Sequence, residues 1–155
     1  MKKEIRDPRQ KEVEIMTMIE TKGRILTEGK AEGTIIGTNV PLSFWGGFNP
    51  ATGVVVDRHH PLCGVSLANH ILVLPKGRGS CSGSGVLLDA IVSGHAPSAI
   101  LLAEADEIVA LGGIVAEEVF SMKLPILVLD EGSFEQALLA STACIEEDGL
   151  VVLRY

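Results

Sequence analysis

A chain of 155 residues, 46% hydrophobic and 21% charged, has the size and composition of one globular domain with its own core, which excludes a disordered chain. Its formal charge of -7 argues against nucleic acid or an anionic membrane as the main partner, because both recruit basic surfaces. The 17 glycines set against only 4% aromatic residues imply many tight turns and a core of Val, Ile, Leu and Ala.

In chain order, residues 1–20 read as a polar N-terminal extension, mixed in charge and without the apolar region of a secretory leader. Residues 21–155 form the domain proper. Between Lys22 and Asp57, short β-like runs at 24–29, 31–38 and 52–57 alternate with Gly, Asn and Pro turn signals. The run HILVLP at 70–75 is almost wholly apolar, as strands buried in parallel sheets are. Helical spacing follows at 84–95, stopped by Gly94 with Pro97 beyond it. A second buried strand at 98–103 leads to a helix at 106–120 that opens on Asp106 and Glu107. A third strand at 124–130, a third helix at 133–141 and a hairpin through Asp148 and Gly149 at 143–155 complete the chain. The pattern predicts an α/β domain with a mostly parallel sheet and a β-rich N-terminal half.

No apolar run reaches the roughly 18 residues that a membrane span needs. Cys63, Cys81 and Cys144 are far apart, with neither a C-x-x-C pair nor an iron–sulfur ligand run, so no metal site is legible. An odd set of thiols without a leader fits the reducing cytoplasm.

The densest chemistry lies in VLPKGRGSCSGSG at 73–85. A glycine-rich turn from a buried strand into a helix aims backbone N–H groups and the positive helix end outward, which suits an anion or a developing oxyanion. Three readings compete. As a nucleotide cradle, Gly77-x-Gly79-x-x-x-Gly83 is a relaxed dinucleotide spacing with Glu104 as the ribose acid, but Pro75 and Lys76 stand between the strand and the first glycine, and the G-x-x-x-x-G-K-[ST] phosphate loop is absent. As a nucleophile elbow centred on Cys81, it needs an acid and then a histidine later in the chain, yet the last histidine, His95, directly follows the first helix. As a general-base loop, Ser80 would need cations, N–H donors and the helix dipole, which Lys76, Arg78 and the backbone at Gly79 can supply. Against this stands plain helix capping by Ser80 or Ser82.

Elsewhere, Asp57-Arg58-His59-His60-Pro61 reads either as the lining of a cleft, with His59 or Arg58 orienting a substrate, or as a solvated turn. Ser43-Phe44-Trp45-Gly46-Gly47 reads as a loop near the site or as a satellite core plugged by Trp45, with Trp45 as a possible interface anchor. Glu104, Asp106 and Glu107 are assigned to helix electrostatics, Glu117 and Glu118 to a solvated face, and His70 and His95 to the surface.

Four blocks in order, PLSFWGGFNPATGVVVDRHHP at 41–61, LPKGRGSCSGSG at 74–85, APSAILLAEAD at 96–106 and ALGGIVAEE at 110–118, give the chain a resemblance to the aconitase X small subunit, or swivel domain. The resemblance implies a swivelling β/β/α domain docked on an aconitase X large subunit. That partner would hold the iron or iron–sulfur cluster and most of the site for a small hydroxy acid. The family's catalytic serine follows an Arg-Gly or Lys-Gly pair, which here is Arg78-Gly79, so Ser80 would take a proton from carbon while iron assists the departing hydroxide. Lys76, Arg78 and Gly79 would give electrostatic support, with Arg58 and His59 at the substrate; Cys81 and Ser84 inherit no role. Of the two family activities, the aromatic block and DRHHP favour cis-3-hydroxy-L-proline dehydration. Lys76 and Arg78 would equally suit a substrate phosphate, which keeps (R)-5-phosphomevalonate as the alternative. A free-standing nucleotide or phosphate module is the competing class.

Overall fold

The β-rich first half and the alternating second half meet in one mixed sheet of eight strands in the computed structural model, which describes residues 17–155. Its strands are β1 (Met18–Lys22), β2 (Arg24–Thr27), β3 (Ala31–Gly37), β6 (Ile71–Leu74), β7 (Ala99–Leu102), β8 (Ile126–Val128), β9 (Thr142–Ile145) and β10 (Leu150–Arg154), in the order β1-β10-β9-β3-β6-β7-β8-β2. Strands β3, β6, β7 and β8 run parallel, and antiparallel strands extend the sheet on both sides. Strand β3 joins the two patterns: Ala31–Thr34 pair antiparallel with β9, and Ile35–Gly37 pair parallel with β6. A small hairpin of β4 (Phe48–Asn49) and β5 (Val54–Val55) stands apart.

The parallel centre forms where both faces of a strand find apolar cover. Helices α2 (Ser82–Ser93) and α3 (Glu107–Phe120) pack on one face, where Leu72, Leu74, Ile100 and Leu102 meet Leu87, Ala90, Ile91, Val109 and Ala116. Helix α4 (Glu131–Leu139) covers the other, where Ile71, Val73 and Leu101 meet Phe134 and Ala137. Each fully buried Leu or Ile contributes about 1.5–3 kcal/mol relative to exposure, so the four-residue runs of β6 and β7 anchor the fold. The apolar hairpin continues into the second cluster through Ala143, Ile145, Val151 and Leu153.

The predicted alternation holds from residue 70 onward, with local differences that have physical causes. Helix α4 starts at Glu131 rather than Ser133, because the Asp130 side chain accepts from the Ser133 N–H at 2.8 Å and caps it. Met18–Glu20, read as part of the extension, pair with Val152–Arg154 in β1, a register that only the distant β10 can supply; the rest of the predicted extension, residues 1–16, lies outside the described residues. Phe44–Gly47 (α1) is less a helix than a kinked turn, with Trp45 at ψ 114° and Gly46 at φ +78°. No helix among the described residues is long and apolar enough to cross a membrane.

Candidate functional site

Strands β6 and β7 end side by side, so the segments that leave them are neighbours: the N–H groups of Ala103 and Glu104 both donate to the Pro75 carbonyl at 3.1 Å. Such a rim, at the carboxyl ends of parallel strands, is where open α/β sheets place ligands. The loop 75–81 crosses it and enters α2.

Two anchors shape this loop. On one side, the Gly77 N–H donates to Asp106 Oδ2 at 2.9 Å, while Asp106 Oδ1 accepts from the N–H groups of Ile108 and Val109 at 3.0 Å each. On the other, the Arg78 N–H donates to the Leu42 carbonyl at 2.9 Å, and Leu42 and Gly77 form an isolated parallel bridge. Gly79 then turns through φ +106°, a conformation that L side chains rarely adopt. Ser80 follows, exposed at the mouth of α2, and its Oγ accepts from the Ser82 N–H at 3.4 Å. Part of the expected capping role is therefore real, but it is long and weak by hydrogen-bond geometry. Cys81 occupies the N-cap position and makes no side-chain cap bond.

Phe44, Gly77, Arg78, Gly79, Ser80, Gly83, Asp106, Ile108 and Val109 enclose a hollow of about 70 Å³. At about 30 Å³ per water this holds two waters, far below the several hundred Å³ of a complete small-molecule pocket. The hollow is a recess at the rim rather than a complete pocket.

The cations that flank Ser80 are each paired. Lys76 Nζ lies 3.4 Å from Glu104 Oε2, and Arg78 Nη2 lies 3.6 Å from Asp57 Oδ2. Both cations are exposed, although Asp57 is half-buried, and contacts of such exposed cations contribute at most about 1 kcal/mol, so an incoming anion can compete for them. Asp57 also accepts from the His59 N–H at 2.9 Å, which ties the 57–61 turn to the loop through Arg78. Arg58 and His59 are exposed and do not line the hollow. His60 is buried and structural: its Nδ1 accepts from the Leu62 N–H at 3.1 Å, which leaves Nε2 to donate to the Val40 carbonyl at 3.2 Å. The expected plug, Trp45, is 62% exposed, and Phe44 is the buried ring instead, edge-on to Phe48.

Asp106 is the lining residue assigned elsewhere on sequence, whereas Phe44 belongs to the block read either as a loop near the site or as a satellite core. Asp106 was legible as a helix cap, but nothing local signals that its second oxygen reaches a loop far back along the chain. The amides at Gly77 and Arg78 are already engaged, and a carboxylate stands where a cradled phosphate would need a donor, which weighs against the nucleotide reading. Among the described residues no three His, Cys, Asp or Glu come together to hold a metal ion, and Cys63 and Cys81 are free and exposed, so an iron centre does not fit these residues.

Fold and loop define the class: an α/β domain with a serine-bearing glycine turn at the carboxyl rim of its parallel strands. The chain belongs to the aconitase X swivel domain family, whose family model matches residues 20–152. It is 49% identical over 119 residues to a cis-3-hydroxy-L-proline dehydratase of Hypocrea jecorina, covering 77% of this chain and 20% of that protein. It is 46% identical over 95 residues to a phosphomevalonate dehydratase small subunit of Thermococcus onnurineus, covering 61% of this chain and 73% of that one. The crystal structure of Thermococcus kodakaraensis aconitase X superposes with a TM-score of 0.76 at 36% identity, over 87% of this chain and 98% of that one. The chain thus spans about a fifth of the hydroxyproline dehydratases it matches and most of the small subunit.

Proposed function

We propose that this chain is the swivel subunit of a cytoplasmic aconitase X-type dehydratase acting on cis-3-hydroxy-L-proline, with Ser80 as the general base. The observation that carries the reading is the placement of Ser80: exposed on a doubly anchored turn at the N-terminus of α2, in a hollow that needs a second body to become a pocket. The larger chain that completes the site corresponds to the remainder of the single-chain relatives, of which this chain matches 20%. We assign the family's iron centre to that chain, since the residues here do not fit one. Half-exposed Leu111 and Ile114 on α3 support a covered assembly.

In the reaction, Ser80 as alkoxide takes the proton from the carbon next to the substrate carboxylate. The C–H electron pair forms the new double bond as hydroxide leaves the neighbouring carbon, and the proton taken by Ser80 is given up again to that hydroxide, so that water and an unsaturated acid result. An alkoxide at this position is favoured by the positive end of α2 and by the Ser82 N–H that faces Oγ. Arg78, swung from Asp57, and Lys76, swung from Glu104, would attract the carboxylate, with Gly79 giving the backbone room to approach. Arg58 and His59 enter only as outer contacts, once the partner closes over the rim.

The alternative substrate is (R)-5-phosphomevalonate, supported by the small-subunit relative. The higher identity to the hydroxyproline dehydratase, 49% over 77% of this chain against 46% over 61%, favours the first substrate, while Lys76 and Arg78 would serve a carboxylate or a phosphate alike. The test is turnover of each compound by the chain assembled anaerobically with its larger partner, beside the Ser80→Ala assembly. Dehydration of hydroxyproline, abolished by Ser80→Ala with assembly intact, is the expected result. Turnover by the alanine variant removes Ser80 as base, and preference for the phosphate compound moves the enzyme to the second reading.

A further inference from the structure

We infer that Asp106 is a positioning residue for Ser80, acting through Gly77; the inference rests on the proposed role of Ser80. A helix N-cap needs one oxygen, and Asp106 Oδ1 alone serves α3 by accepting from the Ile108 and Val109 N–H groups at 3.0 Å each. The second oxygen is directed elsewhere, to the Gly77 N–H at 2.9 Å. That contact exists because position 77 lacks a side chain: a Cβ there would stand 2.9 Å from Asp106 Oδ2 and 3.1 Å from Val109 Cγ2. The two residues are therefore matched, one by its missing Cβ and the other by its spare oxygen.

The consequence falls on the base. Leu42 holds the loop from the opposite side through the Arg78 N–H, so the loop is suspended between α3 and the 41–43 segment. Ser80 lies only three residues beyond Gly77, with the turn at Gly79 between them, so the anchor at Gly77 sits close enough to the hydroxyl to set its place. Asp106 also lines the hollow that Ser80 opens into. Release of Gly77 shifts the hydroxyl relative to substrate while leaving substrate contacts on the larger chain in place.

Two substitutions separate this role from capping. In Asp106→Asn the amide oxygen still caps α3, but its NH2 group confronts the Gly77 N–H, donor against donor. In Asp106→Ser the hydroxyl caps and does not reach Gly77. In the full chain, amide exchange followed by NMR should speed up at Gly77 in both variants, with Ile108 and Val109 still protected and the thermal midpoint near that of the parent. In the assembled enzyme, kcat for hydroxyproline should fall by about tenfold to a hundredfold, with KM changed less than about twofold. Gly77→Ala breaks the same link from the other side, so its loss combined with Asp106→Asn should be smaller than the product of the two. Parental kcat in both Asp106 variants, beside an inactive Ser80→Ala enzyme, overturns the positioning role alone. Turnover by Ser80→Ala overturns the base assignment instead, and an unchanged Gly77 exchange rate in both variants overturns the link itself.

Discussion

Gly79 and Ser43 meet across the loop: a Cβ on Gly79, whose φ is +106°, would lie 3.0 Å from the Ser43 Oγ, which itself donates to the Trp45 carbonyl at 2.8 Å. Gly79→Ala therefore carries two costs, a backbone conformation unfavourable by about 1–2 kcal/mol and the displacement of Ser43. We expect a lowered denaturation midpoint and reduced turnover in the assembled enzyme. Adding Ser43→Ala should relieve the contact and not the φ cost, so stability should recover in part only. Full recovery would show that the backbone conformation is not strained.

Two helical glycines should respond in opposite directions. Gly112 on α3 packs so closely on α2 that a Cβ would meet the Ser84 carbonyl oxygen at 3.0 Å and Leu87 Cδ2 at 3.2 Å. The helix-propensity gain of Gly112→Ala, about 1 kcal/mol, is outweighed by an overpacking cost of about 1–3 kcal/mol, because a backbone carbonyl cannot rotate away. Gly85, in α2, has open space at its Cβ position, so Gly85→Ala should stabilise by about 0.5–1 kcal/mol. Denaturant midpoints of the two variants should fall on either side of the parent, and the same sign for both would contradict the packing.

Acid should unfold the chain partly through Asp130 and Asp148. The N–H and then the hydroxyl of Ser133 hold Asp130 below the ordinary carboxylate value, and the Leu150 N–H, followed by Lys22, does the same for Asp148. Since both folded values are lowered, the unfolded chain takes up protons first as pH falls. The stability they give is complete above the ordinary carboxylate value and drains away as pH falls through the folded values. Asn at both positions keeps the cap and turn oxygens, and the midpoint of this double variant should vary less steeply between about pH 6 and pH 2. An unchanged slope would assign acid sensitivity to other carboxylates.

The three thiols should separate by reactivity. Cys63 and Cys81 are exposed, while burial, followed by the Glu146 carboxylate with an oxygen 3.6 Å from Sγ, pushes the Cys144 thiol up. Alkylation at about pH 8 followed by mass mapping should modify Cys63 and Cys81 before Cys144, since the thiolate is the reactive form. A raised folded value also means that stability declines as pH climbs above the ordinary thiol value, where the unfolded chain loses its proton first. Early labelling of Cys144 would show that strands β9 and β10 open readily.

The order of elements from residue 70 onward was legible because it rests on local chemistry. The apolar runs of β6 and β7 can be buried only on both faces, and Gly94, at φ +81°, closes α2 as a left-handed cap. The loop that carries Ser80 was legible for the same reason, since glycine spacing, serine and cations sit within a few residues. Arg58 and His59 were harder. Neighbours in a tight turn point in different directions, and only the fold shows that His60 faces inward while Arg58 and His59 face water.

What the sequence determined by itself, then, is whatever a residue and its near neighbours fix: strand or helix, turn, cap, and the chemical content of one loop. Tertiary structure alone decided the pairing of Met18 with Arg154, the union of Gly77 with Asp106 and of Arg78 with Asp57, and the small size of the hollow they frame. The physical reason is reach. A hydrogen bond or ion pair acts over about 3 Å, and no pattern along the chain encodes which distant groups the sheet will bring within it.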